Sequence, residues 1–89
     1  MCGFTLFDIR WSIPAAILLI AMRISRENNI GIEDALRIIA EYSEGWVRGA
    51  ASMLIHDSSR RRRLLEDIES GFRPPDSIIL EVERRIKVK

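Results

Sequence analysis

The 89-residue chain holds one cysteine, one histidine, three prolines and six aromatics (three Phe, two Trp, one Tyr). Each scarcity excludes something. A lone Cys2 cannot build an internal disulfide framework, and one His with one Cys cannot form a cluster with zinc-ligand spacing, so no metal and no cofactor are expected. An unpaired Cys fits a reducing, cytoplasmic setting. No charge sign dominates. Fourteen basic residues face thirteen acidic ones, for a net charge of +1 and a pI near 8.0. Nothing global therefore draws the chain to a polyanion, and nucleic acid is an unfavoured partner. The long apolar run is also too short for a membrane. "IPAAILLIAMRI", Ile13 to Ile24, has twelve residues, against roughly 18–20 for a span. As a signal-peptide core it lacks suitable flanks. Asp8 sits beside Arg10 ahead of it, and "MRISREN" follows where a small-residue cleavage site would stand. A buried core helix is the expectation.

What the chain does have is the balance of a folded domain, 47% hydrophobic and 30% charged. Its length suits a single helical domain over 1–89, with little margin of core. Alternation with period two is nearly absent. "FTLFDI", Phe4 to Ile9, is a strand candidate without a partner, and residues 1–11 are expected as a poorly ordered arm. The rest reads as helices separated by short breaks. Ser12 as N-cap and Pro14 in the first turn open a helix reaching about Glu27, apolar nearly all round in its first half, as a central helix must be. "ENNIG" ends it: Asn28 and Asn29 tolerate left-handed backbone, and Gly31 prefers it. The second helix runs from about Ile32 to Ser43. Glu33 and Asp34 complement its dipole, and Ile32, Ala35, Leu36, Ile39 and Ala40 face the core.

Gly45 is expected to end that helix. A third covers Trp46 to His56, with Trp46, Val47, Ala50, Met53 and Leu54 near one face and tight packing over Gly49 to Ser52. Asp57, Ser58 or Ser59 caps a fourth, whose apolar face is Leu64, Leu65 and Ile68, with Gly71 as its stop. Asp76 caps a last helix, Ser77 to about Lys87, with Ile78, Ile79, Val82 and Ile86 inward. The fold class that follows is all-α, a compact irregular bundle of about five helices.

Catalytic chemistry finds little support. "HDS", His56 to Ser58, holds the three triad residue types, but neighbours at one helix end cannot converge as a triad does. "SEGWVRGAAS" has neither the spacing nor the Lys of a phosphate loop. No enzyme is expected. The one local charge feature is Arg60, Arg61, Arg62 and Arg63. At about 100° per residue the four wrap around a helix rather than stripe it, near the end a dipole disfavours for cations. Pairing with Glu66, Asp67 and Glu69, including Arg62 to Glu66 and Arg63 to Asp67, is the plain reading; an acidic partner or phosphate is the functional one.

"ISRENNIGIEDALRIIAEY" resembles the first helix-turn-helix of the cytoplasmic domains of type II secretion F proteins and type IV pilus platform proteins. The resemblance rests on Asn29-Ile30-Gly31-Ile32 followed by Asp34-Ala35-Leu36, with "LLEDIESG" and "IILEVERR" similar to later helices of that family. "FRPPD" departs from the pattern after Gly71, and the closing helix lacks the family's Gly-Glu. The resemblance implies a non-catalytic protein-protein interaction domain, a scaffold on the cytoplasmic side of an inner membrane. Its partners would be an assembly ATPase and other platform subunits, with a membrane span only if a chain continues past Lys89. Arg84, Arg85, Lys87 and Lys89 suit the cytoplasmic flank of a span, and equally a helix C-terminus. The alternatives are a free-standing helical adaptor or regulatory module, which could form a homodimer, and, less favoured, a small nucleic-acid-binding protein using Arg60 to Arg63. The interaction residues expected from sequence are Glu33, Asp34, Arg37 and Arg60 to Arg63.

Overall fold

The computed structural model describes residues 6–86, with side chains from Ser12 onward. Five α-helices follow one another: α1 Leu6–Asn28, α2 Ile32–Glu41, α3 Trp46–His56, α4 Ser58–Glu69 and α5 Asp76–Arg85. The described residues contain no strand, and the fold is the all-α bundle that the periodicity indicated.

α1 is the hub. Ala15, Ala16, Ile17 and Leu18 are consecutive and all wholly buried, so every side of the helix is covered at that level. It packs against each of the other four helices. Around it lie Leu36 and Ile39 of α2, Val47 and Leu54 of α3, Leu64 of α4 and Val82 of α5, all without exposed surface. Each such side chain contributes about 1.5–3 kcal/mol by leaving water.

The start of α1 corrects the sequence reading. Ser12 is not an N-cap; the helix begins at Leu6, so positions 6–9 are helical rather than extended, while Phe4 and Thr5 lie outside the described residues. A lone strand has no ladder to satisfy its backbone, whereas a helix satisfies it locally. Pro14 consequently lies inside the helix. It removes one N–H and crowds one carbonyl, a loss confined to one turn and offset by the fully buried residues that follow it.

The α1–α2 corner uses both asparagines. Asn29 takes the left-handed conformation (φ 55°), and the Ile30 N–H then reaches back to the Ser25 carbonyl at 3.1 Å. Asn28 Nδ2 donates to the Ile24 carbonyl at 3.0 Å, and the Ser25 hydroxyl donates to the Ile30 carbonyl. Gly31, expected to be left-handed, is instead the extended N-cap of α2 (φ −72°, ψ 159°). The left-handed residue is needed immediately after the C-cap to turn the chain back, and that position belongs to Asn29.

α2 stops at Glu41, short of the expected Ser43. The Tyr42 N–H closes on the Ile38 carbonyl, and buried Ser43 donates its hydroxyl to the Ile39 carbonyl at 2.6 Å. Gly45 (φ 66°) is the N-cap of α3 rather than the end of α2. The buried stripe of α3 is Val47, Ala51 and Leu54. Trp46 is 41% exposed, not core. Tight packing over Gly49 does not occur, because a Cβ built there meets nothing within 4 Å. With residues 47, 51 and 54 inward, residue 49 points about 200° away from Val47, toward water.

α4 meets expectation. Asp57 Oδ1 accepts from the Arg60 N–H at 3.0 Å, and Leu64 and Ile68 are buried. Gly71 (φ 112°) ends it, with Phe72 N–H on the Asp67 carbonyl and Gly71 N–H on the Ile68 carbonyl, the paired bonds of a Schellman motif. In α5 the N-cap is Pro75; Asp76, expected as the cap, is the first helical residue and acts on the dipole instead. The helix ends at Arg85, and Lys87 lies outside the described residues. Arg23 Nη2 to Glu83 Oε2, 2.7 Å, ties α5 to α1.

Candidate interaction surface

The Arg60–Arg63 run divides by position. Arg61 is the inward member. Its Nη1 donates to the Leu54 carbonyl at 3.1 Å and the Ile55 carbonyl at 3.3 Å, two of the carbonyls that the last turn of α3 leaves without helical partners. The same nitrogen lies 4.0 Å from Glu33 Oε2 at the start of α2. Arg61 thus joins α2, α3 and α4 through one guanidinium. Arg48 repeats the device one connection earlier, its Nε donating to the Ala40 carbonyl at the end of α2 at 3.1 Å. Arg60 stays local, 3.6 Å from Asp57 Oδ2 and 3.8 Å from Met53 Sδ. Arg62 and Arg63 are exposed, and among the described residues Arg62 forms no ion pair with Glu66, which the i,i+4 spacing suggested.

Of the other residues singled out in the sequence, Glu33, Asp34 and Arg37 are exposed on α2. Only Glu33 and Arg61 are brought within 4.0 Å. None of the seven lines the surface depression between Tyr42 and Arg84.

A different constellation does converge. Trp46 opens α3, and the Arg85 guanidinium of α5 lies over its ring, 5.0 Å from the centroid. Tyr42, Glu44, Arg84 and Arg85 line a shallow open depression of about 240 Å³. Arg84 and Leu80 stand one turn apart on α5, where side chains four residues apart are neighbours. Tyr42, Trp46 and Leu80 are 47%, 41% and 58% exposed, the large hydrophobic side chains that the described residues leave outside the core. Tyr42 thus shares the depression with both arginines, Trp46 lies under Arg85, and Leu80 is one turn from Arg84. Glu81 holds the two cations in place from within α5, at 3.5 Å from Arg84 and 2.9 Å from Arg85.

Sequence reasoning placed Trp46 in the core and missed Tyr42 and Leu80. A signal existed for each. Leu80 falls off the 78, 79, 82, 86 stripe, and Tyr42 and Trp46 bracket a break rather than share a helix face.

Among the described residues no three His, Cys, Asp or Glu side chains cluster as metal ligands, and no helix is long and apolar enough to cross a membrane. His56, at the end of α3, is exposed. In comparisons with known proteins the chain matches no family model, no curated protein and no solved structure.

Proposed function

We propose that the chain is a non-catalytic, cytoplasmic helical domain that works by binding another protein. The observation that carries this reading is the exposure of Tyr42 and Trp46 beside Arg84 and Arg85, with exposed Leu80 one turn along α5. Tyr, Trp and Arg are the residues enriched where protein interfaces concentrate their binding energy. Large apolar side chains left together outside a small core are better explained by a partner than by folding.

The resemblance of "ISRENNIGIEDALRIIAEY" to platform proteins of type II secretion and type IV pilus assembly gives the reading a setting: a scaffold domain contacting an assembly ATPase or a neighbouring platform subunit. The residues behind that resemblance build the α1–α2 corner, so they support a shared way of turning between two helices. The binding itself rests on the surface at the other end of α2.

The test is co-purification of the full chain with the assembly ATPase encoded in the same genome, comparing wild type with Leu80→Ser and Tyr42→Ser. Wild type retaining the ATPase, with both variants folded and losing it, supports the platform setting. Equal retention by all three sets aside the surface, and no retention by any sets aside the platform setting.

A further inference from the structure

Resting on the reading of this surface as a protein contact, we propose that its occupant is a second copy of the chain, docked α5 against α5 in antiparallel register about Leu80. The charges beside the depression balance, Glu44 and Glu81 against Arg84 and Arg85, so they select neither an acidic nor a basic partner. The order of side chains along α5 does select one. Asp76, Leu80 and Arg84 follow one another at four-residue spacing, and all three are exposed. Residues four apart form one ridge on a helix surface, the row that helix pairs most commonly interdigitate. The ridge reads acid, apolar, base, and that order is its own complement when reversed.

With the helical rise of about 1.5 Å per residue, Asp76 and Arg84 stand about 6 Å on either side of Leu80. A two-fold axis at Leu80 sets the two leucines together. It also brings each Arg84 opposite the second copy's Asp76, the reciprocal contact of an isologous interface. Both charged groups are available for it. Asp76 has no ion-pair partner among the described residues, and Arg84, its side chain 79% accessible, makes only a loose 3.5 Å contact with Glu81. The ridge is clear because the other side of α5, with buried Val82, packs on α1. Arg84 also lines the depression with Tyr42, so the same docking lays the opening turn of the second copy's α5, led by Pro75, against that exposed ring.

The experiment is analytical ultracentrifugation of the full chain at loading concentrations up to the millimolar range, since a face of this size supports a weak dimer. The mass is expected to rise from 10.3 kDa toward twice that value. Arg84→Glu and Asp76→Arg, each checked for folding by circular dichroism, should weaken self-association about tenfold, because both facing pairs become like-charged. Mixed in equal amounts, the two variants should recover the wild-type affinity, because every facing pair is again opposite in charge. Asp76→Arg puts a cation at a helix N-terminus, so a second variant avoids that change. Leu80→Cys in a Cys2→Ser chain should give a disulfide-linked dimer on mild oxidation, and faster than Arg63→Cys in the same background. A mass fixed at 10.3 kDa overturns the proposal. So do a dimer indifferent to both charge variants, a mixture no tighter than either variant alone, or equal crosslinking at positions 63 and 80. Loss of partner capture in Leu80→Ser, with a wild-type chain that stays monomeric, would leave the protein-binding function standing and sink this inference alone.

Discussion

Replacing Arg61 by Ala should be far more damaging than replacing either of the two Arg residues that follow it. Its guanidinium satisfies the Leu54 and Ile55 carbonyls, at 3.1 and 3.3 Å, and its side chain is only 21% exposed. A hydrogen bond of this kind is worth about 1 kcal/mol net, and somewhat more from a charged donor. The Glu33 contact at 4.0 Å, half-exposed on the acidic side, adds little. The sum is about 2 kcal/mol, which for a domain this size lowers Tm by roughly 8–16 °C. Arg62→Ala and Arg63→Ala should stay within about 0.5 kcal/mol of wild type, as surface changes do. Urea unfolding of the three variants, followed by circular dichroism, reads the difference directly. Arg61→Lys should recover only part of the loss, since an ammonium lacks the planar fork. Equal, small effects at all three positions would refute the division of labour within the run.

Four further outcomes concern the helix interiors and their ends. Gly49→Ala should raise stability by about 0.5–1 kcal/mol, because Gly49 is exposed inside α3 with open space around it. Gly71→Ala should lower it by about 1 kcal/mol or more, because φ is 112° there; thermal melts of the two variants must move in opposite directions. Asp57→Ala should cost about 1 kcal/mol by removing the cap on Arg60 N–H, measured the same way. Leu64→Ala should cost about 2–5 kcal/mol, as truncation of a wholly buried side chain does; retention of wild-type stability would mean the α4 face is not core.

Much of this fold was legible because local chemistry and global packing agree. The all-round apolar character of Ala15–Leu18 announced a central helix, and Gly71 announced the end of α4. The boundaries that failed did so where sequence offers two equivalent choices. Asn29 and Gly31 can both adopt positive φ, and only the return bond from Ile30 to Ser25 decides between them. Ser12 and Pro14 spell a helix start, but packing carries the helix through them.

The candidate site was less legible for a plainer reason. Its residues come from the end of α2, the start of α3 and the end of α5, and no spacing rule joins position 42 to position 85. Conversely, the conspicuous Arg60–Arg63 run drew attention as a patch, while its inward member, Arg61, is occupied by helix-end carbonyls. A cation near a helix N-terminus looks misplaced by the dipole of its own helix. It is well placed beside the C-terminal carbonyls of the helix before it.

The most direct test of a binding function at this surface is site-specific photo-crosslinking in the cell of origin. A photoreactive residue is placed in turn at Tyr42, Leu80, Arg37 and Arg63, and adducts are identified by mass. Adducts to one and the same protein from positions 42 and 80, with none from 37 and 63, are the expected result. Adducts concentrated at 37 or 63, or none from 42 and 80 while the chain is folded and expressed, would contradict it.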